Sequence, residues 1–235
     1  MKKHLLLAIF LFPSLACASV SIIGTRVIYN ESNRSVTVKI NNRGDIASVV
    51  QAWIDDKMIN QAPNEGTSPF LLYPAVSKIE SNGEQYLRIK KIESITNTQT
   101  ESLYWLNIKD IPEAPKNKNE NYLQLSILNK IKLFYRPLAL EKKANDMYKD
   151  IFWKIHTSNE KSYLTVKNNS GYYASLTEIR VNNKIITMPL DMVPPMKSVE
   201  WELKNITASD IYSGKAEYGV VNDFGAVIYR PIVLQ

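Results

Sequence analysis

The sequence predicts an all-β protein made of two β-sandwiches in tandem. Apolar and polar residues alternate with period two along most of the chain after residue 18, a pattern typical of half-buried strands. The alternating segments are short, and runs rich in Gly, Pro, Asn and Asp separate them, which favours turns. No segment carries a sustained helical period, so strands are expected to build both cores.

The first 18 residues are expected to be a cleaved signal peptide. Lys2 and Lys3 form a positively charged start, an apolar run too short to span a bilayer follows, and Ala16 and Ala18 form an A-x-A cleavage site. Cleavage would remove Cys17, the only cysteine, so the exported chain is expected to fold without a disulfide. It would also remove two lysines and no acidic residue, lowering the formal net charge from +6 to +4. Scattered cations and a mildly basic balance argue against nucleic-acid binding.

The first half contains five clearly alternating segments. They cover residues 35–40, 49–55, 85–92, 102–108 and 122–135. Trp53 suits the buried tryptophan that immunoglobulin-like sandwiches carry on their third strand. Asp55 and Asp56 come at the end of a predicted strand and are expected to lie in solvent.

The second half contains seven such segments. They are FWKIH, SYLTVKN, YYASLTEIRV, KIITMPL, SVEWEL, KAEYGVV and AVIYRPIVL. Asn182 and Asn183 are predicted to form a two-residue hairpin turn. Roughly seven short strands in each half of about 100 residues favour an immunoglobulin-like sandwich for each. The charged run 136–150 is the predicted junction, so the expected units are a signal peptide (1–18), an N-terminal domain (19–138) and a C-terminal domain (139–235).

The motifs of several catalytic classes are missing from the sequence. His156 is the only histidine after residue 18, and a zinc site of the His/Cys type needs more ligands than that. G-x-S-x-G, G-x-G-x-x-G and P-loop spacings do not occur. Glu200 and Glu202 lie on one face of a predicted strand and are expected to be solvated. The sequence therefore predicts a protein that is not an enzyme and needs no metal or cofactor.

The segment YLQLSILNKIKLFY (122–135) is long for a strand. Strands ordinarily have about 5–6 residues, whereas these fourteen would extend over about 48 Å at ~3.4 Å per residue. One parity is almost wholly apolar, and the other carries Lys130 and Lys132. Two interpretations remain open: the segment bends around its own core, or one end presents apolar side chains to a partner.

Several motifs resemble those of the periplasmic chaperones of the chaperone–usher pilus pathway, the PapD-like family. They are NKIKLFYRP, ESLYWLN followed by IP, GTRVIYN, SPFLLYP and VVNDFGA, and the resemblance covers nearly the whole mature chain. It implies two immunoglobulin-like domains in an L-shaped arrangement, in the periplasm of a Gram-negative bacterium. It also implies pilin subunits and an outer-membrane usher as partners, with the pilin held by donor-strand complementation. The short connection EAPKNKNEN and the lack of mature cysteines resemble the short-loop type.

The resemblance also assigns roles to individual residues. Arg26 and Lys132 would anchor the C-terminal carboxylate of a subunit, with charge-assisted hydrogen bonds. Leu123, Leu125 and Ile127 would fill the groove that a pilin leaves open. The interdomain salt bridge would be formed by Glu101, Arg136 and Asp223.

One alternative function stays open at this point. A secreted two-domain adhesin or binding module would also be β-rich and noncatalytic, but it would not need Arg26 or Lys132 and would purify alone. In the chaperone interpretation, the free protein could also associate with itself and thereby cap its donor strand.

Overall fold

The computed structural model describes residues 20–56, 68–114, 123–140, 144–204, 208–213 and 215–234. In these ranges the chain forms two β-sandwiches, one before and one after the junction at residues 137–150. The predicted all-β tandem fold is therefore confirmed. The proposed signal peptide and most of the EAPKNKNEN connection lie outside the described residues.

Nine strands build the N-terminal sandwich: β1 (Val20–Ile22), β2 (Arg26–Asn30), β3 (Val36–Asn42), β4 (Ser48–Asp55), β5 (Phe70–Tyr73), β6 (Val76–Ile79), β7 (Glu84–Lys91), β8 (Ser102–Pro112) and β9 (Ile127–Arg136). They form two sheets, with strand orders β1-β3-β7-β5 and β2-β9-β8-β4-β6. Because successive side chains of a strand point to opposite faces, alternate residues of both sheets meet in one core. Ile40, Leu87, Leu106 and Leu133 are buried at its centre.

Strand β9 lies between two partners over only part of its length. It pairs antiparallel with β8 from Ile127 to Tyr135. Its pairing with β2 is parallel and begins only at Lys132, opposite Arg26. Strand β1, the neighbour of β2 in sequence, pairs with β3 in the other sheet. Residues 127–131 of β9 therefore pair with β8 on one side and are not covered by β2 on the other.

The C-terminal sandwich follows a 3₁₀ helix (Ala144–Asp150). Its elements are β10 (Ile151–Ser158), β11 (Lys161–Asn168), β12 (Ala174–Val181), β13 (Lys184–Ile186), β14 (Met192–Val193), β15 (Ser198–Glu202), α1 (Ala208–Ser213), β16 (Ala216–Val221) and β17 (Val227–Pro231). One sheet has the order β10-β11-β15; the other has β13-β12-β16-β17, with β14 also paired to β12. The core surrounds Trp153, Leu164 and Tyr218.

The predicted hairpin turn at Asn182 and Asn183 is confirmed. Both residues have positive φ, at 50° and 66°, and Val181 pairs with Lys184 across the turn. The two helices were not predicted, because at seven and six residues they are too short to show a helical period. None of the helices within the described ranges has the length and apolar character needed to cross a membrane.

Three predictions about local structure are wrong. Trp53 is only half-buried and is not part of the core, because it lies on the parity of β4 that faces away from the second sheet. Asp55 is not solvated but buried, and it accepts a hydrogen bond of 2.9 Å from Asn107 Nδ2 on β8. The strand expected from Tyr122 begins instead at Ile127.

Candidate functional site

The segment that precedes β9 exposes large apolar side chains. Leu123, Leu125 and Ile127 are 83%, 64% and 47% exposed. They continue the parity of Ile131, Leu133 and Tyr135, which is buried in the N-terminal core. The apolar pattern of the sequence therefore runs past the end of the protein's own core and into solvent, which favours the second interpretation of the long segment.

Pro112 marks the point where the ladder between β8 and β9 stops. It is the last residue of β8, and the last pair before it joins Asp110 to Ile127. Proline has no N–H to donate to a neighbouring strand. Its carbonyl accepts a hydrogen bond of 2.5 Å from the side chain of Gln124, not from the main chain. Residues 123–126 are consequently outside the ladder.

Alternation along β9 also brings a second set of side chains to the cleft between the domains. Leu133 and Tyr135 face the N-terminal core, so Lys132, Phe134 and Arg136 face the other way. The ring of Phe134 lies 5.7 Å from that of Tyr173 in the C-terminal domain, measured between centroids. This face of β9 is therefore part of the interdomain interface.

Arg26 and Lys132 lie side by side on this face, because they are paired residues of adjacent strands. Arg26 Nη1 donates a hydrogen bond of 3.2 Å to the carbonyl of Val221 in the C-terminal domain. The guanidinium also lies 5.6 Å from the centroid of the Phe134 ring. Within the described part of the chain, Arg26 Nε is buried without a hydrogen-bond partner.

Burial perturbs both cations. It lowers the pKa of Arg26, and the carboxylates of Asp223 and Glu101 oppose this shift. Burial likewise lowers the pKa of Lys132; Asp191 opposes that shift, and the charge of Arg26 adds to it. Two adjacent, partly desolvated cations form a site that an anion would stabilise, because the anion would replace the lost hydration.

Arg136 joins two carboxylates from different domains. Its Nε and Nη2 donate to Glu101 Oε1 at 2.9 and 2.7 Å, and its Nη1 and Nη2 donate to the two oxygens of Asp223 at 2.9 and 3.0 Å. Burial disfavours the charged guanidinium, but its hydrogen bonds to Asp223 and the charge of Glu101 outweigh burial. They hold the pKa of Arg136 above its ordinary value. The structure thus brings together Glu101, Arg136 and Asp223.

The interface also uses residues that the sequence did not single out. The main-chain N–H of Glu101 donates to Gly171 at 2.8 Å, and Glu101 Oε2 accepts from the main-chain N–H of Tyr173 at 2.9 Å. The hydroxyl of Tyr172 donates to the carbonyl of Leu140. A Cβ on Gly225 would collide with Thr25 Oγ1. These contacts join positions far apart in the chain, and no local pattern signals them.

Metal ligation finds no support within the described ranges, where no three His, Cys, Asp or Glu side chains are grouped to hold an ion. His156 lies on β10, stacked on Tyr163 and 3.5 Å from Glu200.

Comparisons with known proteins agree with this geometry. Residues 19–141 match the family described as pili and flagellar-assembly chaperone, PapD N-terminal domain, and residues 146–230 match the family described as pili assembly chaperone PapD, C-terminal domain. A probable fimbrial chaperone of Escherichia coli K12, YehC, is 34% identical over 211 residues, which are 89% of this chain and 87% of the relative.

Two solved structures are similar over almost the full length. The structure of the Salmonella enterica SafA pilin in complex with the SafB chaperone is matched with a TM-score of 0.75 and 28% identity, over 91% of this chain and 94% of that chain. The periplasmic chaperone SfaE is matched with a TM-score of 0.67 and 27% identity, over 92% and 100%.

Proposed function

The chain belongs to the family of pili-assembly chaperones, and we propose that it binds pilin subunits in the periplasm, stabilises them by donor-strand complementation and delivers them to an outer-membrane usher. The observation that carries this proposal is the exposure of Leu123, Leu125 and Ile127 beside the part of β9 that β2 does not cover. The protein would act through binding alone and would not be an enzyme.

Residues 123–127, here called the donor segment, would supply the strand that an incomplete sandwich lacks. An immunoglobulin-like subunit without its last strand leaves an apolar groove and unpaired main-chain groups at its edge. The part of β9 that β2 does not cover would pair with the edge strand of such a subunit, as in other cases of strand addition. Burying each large aliphatic side chain contributes roughly 1.5–3 kcal/mol. Leu123, Leu125 and Ile127 together would therefore stabilise a subunit that is unstable alone.

Arg26 and Lys132 would fix the position of the subunit along the donor strand. Both would bind its C-terminal carboxylate, the guanidinium through two parallel N–H groups and the ammonium as a second charge. Arg136, Glu101 and Asp223 would have a structural role and hold the second domain so that Val221 stays against Arg26. The domain limits 19–138 and 139–235 remain part of this proposal.

The anchor is tested by recovering the chaperone from the periplasm and measuring the pilin that accompanies it. Arg26→Ala and Lys132→Ala should each remove most of the bound pilin, because each loses a charge-assisted hydrogen bond worth ~1.5–3 kcal/mol. Lys154→Ala, an exposed cation on β10, is the matched control and should behave like the parent. Near-normal pilin recovery with the Arg26→Ala/Lys132→Ala double variant would contradict the proposed anchor.

A further inference from the structure

A cavity of ≈ 200 Å³ lies between the two domains, and three arginines line it. Arg26 and Arg136 come from the N-terminal domain, whereas Arg230 comes from β17 of the C-terminal domain. Lys132 does not line it. The volume of the cavity is well above the volume that one water molecule requires. It is therefore a separate feature from the pair formed by Arg26 and Lys132, with Arg26 common to both.

The charges that line this cavity are not balanced. Its two carboxylates, Glu101 and Asp223, both bind Arg136 through short hydrogen bonds. Among the described residues, Arg26 and Arg230 form no ion pair within 4.0 Å with any acidic group. Three guanidinium groups against two carboxylates leave one positive charge in excess.

Arg230 is held in place without being neutralised. It pairs with the buried Tyr218 across β16 and β17, and its guanidinium lies 4.3 Å from the centroid of the Tyr148 ring. Its Nη1 donates to the carbonyl of the adjacent Tyr229 at 3.2 Å. Its Nε is buried and has no hydrogen-bond partner within the described chain, as is true of Arg26 Nε.

Arg26 and Arg230 are only partly buried, but each has a buried Nε–H group without a partner, and such a donor is costly unless something accepts from it. Arginine carries five N–H donors and stays protonated under all ordinary conditions, so it cannot avoid the penalty by losing its proton. Buried polar groups in folded proteins are nearly always hydrogen-bonded, and buried charges are paired. An oxyanion satisfies both requirements, because its oxygens accept from several N–H groups and its charge balances the excess.

We propose that this cavity is an oxyanion-binding site, in which Arg230 and Arg26 together hold an anion of the carboxylate or phosphate class. The site does not include the exposed residues 123–127, and it is present in the chaperone before any subunit binds. Because Arg26 is shared, an anion in the cavity and the carboxylate of a subunit would influence each other's binding.

The test uses the purified free chaperone and inorganic phosphate at constant ionic strength, with chloride as the balancing anion. Phosphate should raise the thermal midpoint of the parent and give a measurable affinity by calorimetry. Arg230→Gln should weaken that affinity at least tenfold, and Arg26→Gln should do the same. Arg180→Gln is the matched control, since Arg180 lies in the same domain and binds Glu178 and Tyr229 outside the cavity; its response should equal the parent's.

The proposal is overturned if phosphate has no more effect than chloride, or if Arg230→Gln binds phosphate as the parent does. Should Arg230→Gln fail to fold, Arg230→Lys replaces it, since it keeps the charge but loses Nε. Phosphate affinity equal to the parent's in both single variants, Arg230→Lys and Arg26→Gln, would also overturn the proposal. Repeating the titration on a chaperone–pilin complex tests the coupling through the shared Arg26: the affinity for phosphate should be lower than in the free chaperone, and an unchanged affinity would contradict the coupling. Intact pilin recovery in Arg230→Gln with lost recovery in Arg26→Ala would leave the proposed function standing independently of this site.

Discussion

Replacing Leu125 by aspartate tests directly which protein the donor segment serves. In the free chaperone this side chain is 64% exposed and lies outside the β8–β9 ladder. Surface substitutions of this kind usually change the free energy of unfolding by about 0.5 kcal/mol or less. The thermal midpoint of free Leu125→Asp should therefore lie close to that of the parent.

The same substitution should be severe for the complex. If Leu125 fills an apolar groove of a subunit, truncating it to alanine forfeits roughly 1.5–3 kcal/mol of burial, which weakens binding about 10- to 150-fold. Aspartate should weaken it further, because its carboxylate would lose hydration in the groove without gaining a partner. Pilin recovered with Leu125→Asp from the periplasm should fall well below the amount recovered with Leu125→Ala.

Two other leucines of the same region provide the controls. Leu138, just beyond the end of β9, is 62% exposed, so Leu138→Asp matches the chemistry and the exposure and should leave both the midpoint and the pilin recovery unchanged. Leu133 is 0% exposed, and Leu133→Ala should destabilise the free protein by about 2–5 kcal/mol. A strongly lowered midpoint in free Leu125→Asp would refute the reasoning, since the segment would then belong to the protein's own core.

Two further predictions concern the interface and the anchor. Asp223→Asn should loosen the arrangement of the two domains, which small-angle scattering measures, while each sandwich stays folded. Arg136→Ala should have the same effect and should also destabilise the N-terminal domain by about 3–5 kcal/mol, because the buried Glu101 loses its counterion. Superimposable scattering profiles for Asp223→Asn and the parent would argue against this role. Burial lowers the pKa of Lys132 from its ordinary 10.5. The affinity for pilin should therefore be highest at pH values below this lowered pKa, where Lys132 is charged. It should decline as the pH rises through the lowered pKa, so that the decline begins below pH 10.5. The stability of the free protein should not decline with it, because an amine that loses its proton escapes the desolvation penalty. Lys132→Arg should move the decline to higher pH, and coincident affinity profiles for Lys132→Arg and the parent would assign the decline to another group.

The strands could be predicted from the sequence because alternation records which face of each strand is buried. The limits of the pattern are visible at Ile127. The alternation of apolar residues continues on its N-terminal side, but the hydrogen-bond ladder with β8 does not, because β8 ends at Pro112. Asp55 was misjudged for a related reason. Its burial depends on Asn107 of a neighbouring strand, 52 positions away in the sequence, and no local pattern reports that contact.

The site could be predicted only in part. Arg26 and Lys132 are two cations among 29 in the sequence, and without the family resemblance a surface position would be the better interpretation for each. Arg230, Gly171 and Tyr173 escaped prediction altogether, because their roles arise where the second domain meets the first. The periodicity of a strand tells which side chains share a face but not what covers that face.

In the proposed function, the arrangement along β9 would hold a folding subunit in a defined register. The apolar parity is buried from Ile131 to Tyr135 and continues in the sequence at Leu123, Leu125 and Ile127, which are exposed. Lys132 lies on the other parity, in the cleft beside Arg26, and the part of β9 that β2 does not cover lies just before it. A subunit that reaches all three must place its groove, its terminal carboxylate and its edge strand at once. A slip by one residue would turn every proposed groove-filling side chain to the wrong face, so the charged pair and the apolar residues would specify the same register.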